Sequence, residues 1–156
     1  MGRVKRDLHA GVFFKATSFN GDLSNWDVSS VIDMTSMFMH ATSFNGDISK
    51  WDISGVADMA DMFSETSFNG DLAKWDVSSV ADMSFAFESA TSFNSDISKW
   101  DLSSITDMNG MFFKATSFNS GISKWDVSRV TGMNGMFFEA TAFNGFKKHT
   151  IHASNP

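Results

Sequence analysis

The 156-residue chain has no cysteine, which excludes a disulfide framework, a thiolate metal site and a cysteine nucleophile, and says nothing of redox compartment. Basic residues are few: 12 Lys and Arg stand against 18 Asp and Glu, for a formal charge of -6 and a pI near 5.0. That balance argues against general electrostatic affinity for nucleic acid or anionic lipid, both of which need a basic face. No stretch approaches the roughly 18 apolar residues of a membrane span, so no membrane insertion is expected. The basic start, Met1 to His9, is followed by no apolar run of signal-peptide length. No glycine-rich phosphate loop interrupts the chain.

What fills it is one repeated unit. Phe-Asn pairs begin at Phe19, Phe44, Phe68, Phe93, Phe118 and Phe143, and Trp-Asp pairs at Trp26, Trp51, Trp75, Trp100 and Trp125. A period of this length and fidelity predicts a solenoid, in which each unit covers the apolar face of its neighbour. With 42% hydrophobic and 14% aromatic residues the chain has enough apolar surface to fold. The expected organisation is an N-terminal segment with a partial repeat (1–16), a five-repeat solenoid (17–140), and a partial sixth repeat and tail (141–156). Repeat 2 is one residue short, with Ser64-Glu65 in place of Met39-His40-Ala41, and this deletion is expected to mark an exposed loop. Because the array opens and closes in mid-repeat, the chain is expected either to belong to a longer array or to make end-to-end contact with a neighbouring subunit.

Two periodicities alternate within a unit. Leu23-x-x-Trp26-x-Val28 has the spacing of a leucine-rich-repeat strand, whereas Val31, Met34, Met37, Phe38 and Ala41 fit one face of a helix. The fold class predicted is therefore an α/β repeat solenoid, leucine-rich-repeat-like, with one short parallel strand and one short helix per coil. Strands are expected near 22–28, 47–53, 71–77, 96–102 and 121–127. Ser30-x-x-Asp33, repeated as Ser79-x-x-Asp82 and Ser104-x-x-Asp107, reads as a capping box at the helix start. An alternative places the strand on the Val-x-Asp-Met segment, with a shorter helix. Asn20, Asn45, Asn69, Asn94, Asn119 and Asn144 are expected to form a ladder satisfying turn backbone groups. The Trp column is expected in the core, each indole N–H on a turn carbonyl.

The unit F-N-x-D-[IL]-S-x-W-D-[VI]-S-x-V-x-D-M-x-x-M-F, as in Phe44-Asn45-Gly46-Asp47-Ile48-Ser49-Lys50-Trp51-Asp52-Ile53-Ser54, resembles the 25-residue repeat of the BspA-like leucine-rich-repeat surface proteins. The resemblance covers Thr17 to Asn144. It implies a leucine-rich-repeat-like solenoid, a role in surface attachment or protein interaction, a cell-surface or secreted setting, and no enzyme activity. It defines no site residues to carry over.

Other chemistry has blander readings. The column Asp27, Asp52, Asp76, Asp101 and Asp126 invites calcium, but each Asp has a lysine column beside it or a turn amide to accept from. His149-x-x-His152 lacks a third metal ligand. Nearly every Ser and Asp belongs to a column present in every coil, so no singular triad stands out and no cofactor is expected. The reading is a non-enzymatic protein-interaction or adhesion module. Alternatives are a scaffold subunit inside a larger complex and, third, cation or glycan binding along the Asp or Trp ladders. A partner surface is expected where the copies disagree. At about 100° per residue Met39 falls outside the apolar arc, and its column reads Phe14, Met39, Ser64, Glu88, Phe113, Phe138. Phe14, Met39, Phe113 and Phe138 are the candidate partner-binding residues, with Phe113 and Phe138 stacked as an exposed patch or, alternatively, folded under the next loop.

Overall fold

A computed structural model describes residues 4–5 and 9–145. Among them there is no α-helix, and the only regular strands are β1 (Val4–Lys5) and β2 (Trp26–Asp27), paired in parallel. The expected α/β leucine-rich-repeat solenoid, with a strand and a helix in each coil, is therefore wrong. What stands in its place is a chain of β-turns.

Each repeat carries a run of six turn residues: 35–40, 60–65, 84–89, 109–114 and 134–139, preceded by 10–15. In the first repeat the N–H groups of Met37, Met39 and Ala41 donate to the carbonyls of Met34, Ser36 and Phe38, three residues back. Ser36 and His40 have φ of 55° and 60°, the left-handed third residue of type II turns. A left-handed residue at every fourth position forbids an α-helix, although turns of this length share much of the helix's apolar spacing. The intervening N–H groups point out of the coil. Those of Met34, Ser36, Phe38 and His40 donate to Asp58, Ala60, Met62 and Ser64 of the next repeat at 2.8–2.9 Å. The same pattern runs on, with Phe63 donating to Ala86, Phe87 to Met111 and Phe112 to Met136. Isolated parallel bridges join Asp33, Asp58, Asp82, Asp107 and Gly132 in sequence, so cross-repeat pairing lies in the Val-x-Asp-Met segment and the turn run. Of the predicted strand segments only 22–28 holds one, the two-residue β2, and the others are turns and irregular chain, as in Trp51 N–H to Ile48.

Asp33 is no helix cap. Its carboxylate accepts from the N–H of Thr35 at 2.8 Å, and Asp58, Asp82 and Asp107 do the same two residues on. These Asx turns start the run by occupying a donor that a helix would have used.

The core is aromatic. Phe13, Phe38, Phe63, Phe87, Phe112 and Phe137 stack at 5.2, 5.6, 5.4, 5.6 and 5.7 Å between centroids. Each also faces the Phe of its Phe-Asn pair, as in Phe38–Phe44 at 4.0 Å and Phe112–Phe118 at 3.8 Å. The middle members of both columns are fully buried. The expected Trp column lies beside them, and the indole N–H groups of Trp51, Trp75, Trp100 and Trp125 donate to Leu23, Ile48, Leu72 and Ile97 carbonyls one repeat back. The asparagine ladder is also present: the N–H of Asn45, Asn69, Asn94, Asn119 and Asn144 each donates to the side-chain oxygen of the preceding asparagine.

The deletion in repeat 2 does not lie in an exposed loop. Ser64 and Thr66 are buried polar residues, 0% and 3% exposed. Elsewhere an alanine at this place donates its N–H to one phenylalanine carbonyl and accepts from the next phenylalanine N–H, as Ala41 does between Phe38 and Phe44. With that alanine gone, the Thr66 hydroxyl performs both roles, donating to Phe63 at 2.9 Å and accepting from Phe68 at 3.3 Å. A side chain thus replaces a missing peptide unit. Thr66→Val leaves a buried carbonyl and a buried N–H unpaired, and is expected to cost about 1–3 kcal/mol in urea unfolding. Thr66→Ser, which keeps the hydroxyl, is expected to recover most of that loss.

Candidate functional site

Where the copies agree, the residues serve the stacking just described. They disagree on the outward side of the turn runs, in three columns: Gly11, Ser36, Asp61, Phe85, Gly110, Gly135; then Phe14, Met39, Ser64, Glu88, Phe113, Phe138; then Lys15, His40, Glu65, Ser89, Lys114, Glu139.

This face divides along the array. In repeats 1 to 3 it carries a polar and ionic group, beside Met39 and Phe85. His40 Nδ1 lies 2.9 Å from Glu65, and the buried Ser64 hydroxyl donates to Glu88 at 3.0 Å. Asp61 sits half-buried among carboxylates; burial, then Glu88, Asp82 and Asp58, raise its pKa above the ordinary aspartate value. Further along the face is aromatic. Phe113 and Phe138 stack at 5.1 Å, with the Lys114 ammonium 5.2 Å from the Phe113 ring. At the opposite end Phe14 meets His40 edge-on at 6.0 Å, with the Lys15 ammonium 4.9 Å from its ring.

The four expected residues thus form two groups. Phe113 and Phe138 are brought together, with Phe138 54% exposed and Phe113 half-buried. Phe14, 46% exposed, and the half-buried Met39 lie at the other end, beyond Ser64 and Glu88. One residue escaped the sequence reading: Phe85, left-handed at φ 55° and 39% exposed, whose ring lies over Gly110 so closely that a Cβ there would collide with it. Its signal was present, since a phenylalanine interrupts a column otherwise made of Gly, Ser and Asp.

The other ladders are occupied by structure. Asp22, Asp47 and Asp96 accept from Ser24, Ser49 and Ser98 two residues on, and Asp76 and Asp126 from Ser78 and Ser128. Those serine hydroxyls and N–H groups lower the pKa of all five carboxyls, the hydroxyl acting most strongly except at Asp126, where the N–H does. No group of three or more His, Asp or Glu that could hold a metal occurs among the described residues. His149 and His152 lie outside them. Trp51, Trp75 and Trp100 are 4–5% exposed, whereas Trp26 and Trp125 at the two ends of the column are half-buried.

A family model described as "Mycoplasma protein of unknown function, DUF285" matches residues 7–93 and 64–152, together nearly the whole chain. The chain belongs to this family. DUF285 is the family of the BspA-like repeat proteins, which the repeat motif resembles. Its two matches overlap over 64–93, as windows on a repetitive array do. No curated protein and no solved structure matches the chain. Membership in DUF285 places the chain among BspA-like repeat proteins and carries no assigned activity.

The raised Asp61 gives that face a pH signature. Since the folded state holds this proton more tightly than the unfolded chain, ionised Asp61 destabilises the fold fully above its folded titration range. The penalty fades as pH falls through that range and vanishes below the ordinary aspartate value. Asp61→Asn is expected to raise the melting temperature at neutral pH, with a gain over wild type that shrinks on acidification. The five lowered aspartates act in the opposite sense, losing their contribution as pH falls, but they are common to both proteins and cancel in the difference.

Proposed function

We propose that the chain is a non-enzymatic protein-interaction module whose contact surface is the aromatic part of the variable face, centred on Phe113 and Phe138. The observation that carries this reading is the stacked pair itself, with Phe138 more than half exposed although the same column accepts serine and glutamate in sister repeats. Exposed aromatic side chains held rigidly beside a cation, as Lys114 is here, are what protein partners bury most favourably. Stacked repeats hold them with little entropy left to lose on binding. Phe85 extends the surface by one repeat.

The BspA-like resemblance supplies the setting for such a module, attachment or adhesion at a cell surface. Service as a scaffold subunit in a larger complex uses the same face and differs in permanence. Cation or glycan binding has less support, because the Asp carboxylates are held by turn donors and the Trp rings of the middle repeats are buried.

Phe113→Ser combined with Phe138→Glu, residues borrowed from the same column, is expected to abolish capture of protein partners by cross-linking from source cells. The melting temperature is expected to stay within a few degrees of wild type. A large fall in melting temperature would make the pair part of the core, and unchanged capture would place the contact elsewhere.

A further inference from the structure

We propose that two copies of this chain pair face to face through the outward side of the turn runs, antiparallel, about a twofold axis at Phe85, Glu88 and Ser89. A second copy is thereby the occupant of the contact surface proposed above, and its assignment rests on that reading. The contact lies on the flank of the array, and coils added before or after it leave it unchanged.

Hydrogen bonds within the runs shape this flank. In run 35–40 the N–H groups of Met37, Met39 and Ala41 close three turns on Met34, Ser36 and Phe38. The middle turn carries Met37 and Phe38 at its tip, both fully buried. The turns on either side therefore point the opposite way, with Thr35-Ser36 and Met39-His40 at their tips. Stacked repeats line such tips into two parallel ridges, with a new member about every 5 Å. Where two of these faces meet about a twofold axis lying across the ridges, each column meets its own reverse.

Charge fits that reversal. One column reads His40, Glu65, Ser89, Lys114, Glu139. Reversed about Ser89, it sets Lys114 of the second copy on Glu65, and Glu139 of the second copy on the His40 imidazole, and the twofold repeats both pairs. Glu65, Lys114 and Glu139 are exposed, and His40 Nδ1 already lies 2.9 Å from Glu65. Each half of the contact thus alternates acceptors with donors. The neighbouring column lays Phe138, 54% exposed, on the half-buried Met39 of the second copy, a favourable sulfur–aromatic contact, and Phe113 on the small, buried Ser64. Phe85, the one phenylalanine of its column and 39% exposed, falls on the axis and meets its own copy. Glu88 also meets its own copy there; each carboxylate accepts from a Ser64 hydroxyl, and the like pair is the unfavourable element of the contact.

A contact between like faces closes at two. The runs 35–40 to 134–139 span about 20 Å along the array, so the interface is small and the dimer weak. Sedimentation of the full chain from micromolar to near-millimolar concentration is expected to show a mass that rises to that of a dimer and stops. Glu65→Lys and Lys114→Glu are each expected to weaken dimerisation by roughly threefold to tenfold with melting temperature unchanged. The double variant, or an equimolar mixture of the two singles, is expected to restore it. Glu88→Gln is expected to tighten the dimer by about threefold or more. Because the chain has no cysteine, Ser89→Cys places a single thiol beside the axis, and a short bis-maleimide is expected to join two such chains. Asn134→Cys, on the same face but roughly 20 Å from its own copy, is expected to stay unjoined at the same concentration. Growth past a dimer, cross-linking at Asn134→Cys as readily as at Ser89→Cys, or charge reversals without mutual rescue would overturn the pairing. A wild-type chain monomeric to near-millimolar concentration would overturn it too, while capture of other proteins through Phe113 and Phe138 would then still judge the surface itself.

Discussion

Everything in this protein depends on backbone N–H groups that leave their own repeat and find a carbonyl in the next. Alternate residues of the turn runs from 10–15 to 109–114 make that bond, and the residues between them bond three positions back. The two sets together use nearly every donor of the segment, which is what buried backbone requires. This arrangement is compatible neither with a helix, whose donors all stay inside the segment, nor with a long strand, whose donors all leave it. The left-handed residues at every fourth position are the conformational cost of having both, and Gly11, Gly110 and Gly135 meet it with least strain.

Once the repeats are tied at this spacing, identical positions lie over one another and their chemistry is constrained. Two phenylalanine columns fill the interior because stacked rings suit the separation that the backbone sets. Polar residues survive in the interior where they complete a hydrogen bond, as Thr66 does and as the Trp indoles do. Outside, the asparagines and aspartates are committed to turn donors. The outward columns of the turn runs are left as the positions free to vary, and there the array acquires an ionic section and an aromatic section.

The period, the asparagine ladder, the indole partners and the stacking of Phe113 on Phe138 were legible in the sequence, because each follows from superposing repeats whatever path the chain takes between them. The path itself was misread. Val31, Met34, Met37, Phe38 and Ala41 recur at three- and four-residue spacings, which consecutive turns produce as readily as a helix does. The cue that separates the two is an aspartate of the Asp33 column followed three residues later by Ser36, Asp61 or Gly110, an Asx turn leading into a left-handed position. Reading Ser30 and Asp33 as a helix cap absorbed that cue into the wrong element. The repeat 2 deletion suggests a loop because nothing in a sequence shows a threonine hydroxyl replacing a peptide group.

The central claim is that these segments bond to the next repeat and not within themselves. Scalar couplings transmitted through hydrogen bonds, measured by NMR on the isotope-labelled chain, test it directly. Couplings are predicted from the amide of Phe38 to the carbonyl of Met62 and from that of Phe87 to Met111. Couplings from Phe38 to Met34 and from Phe87 to Met83, the four-residue pattern of a helix, would contradict the account.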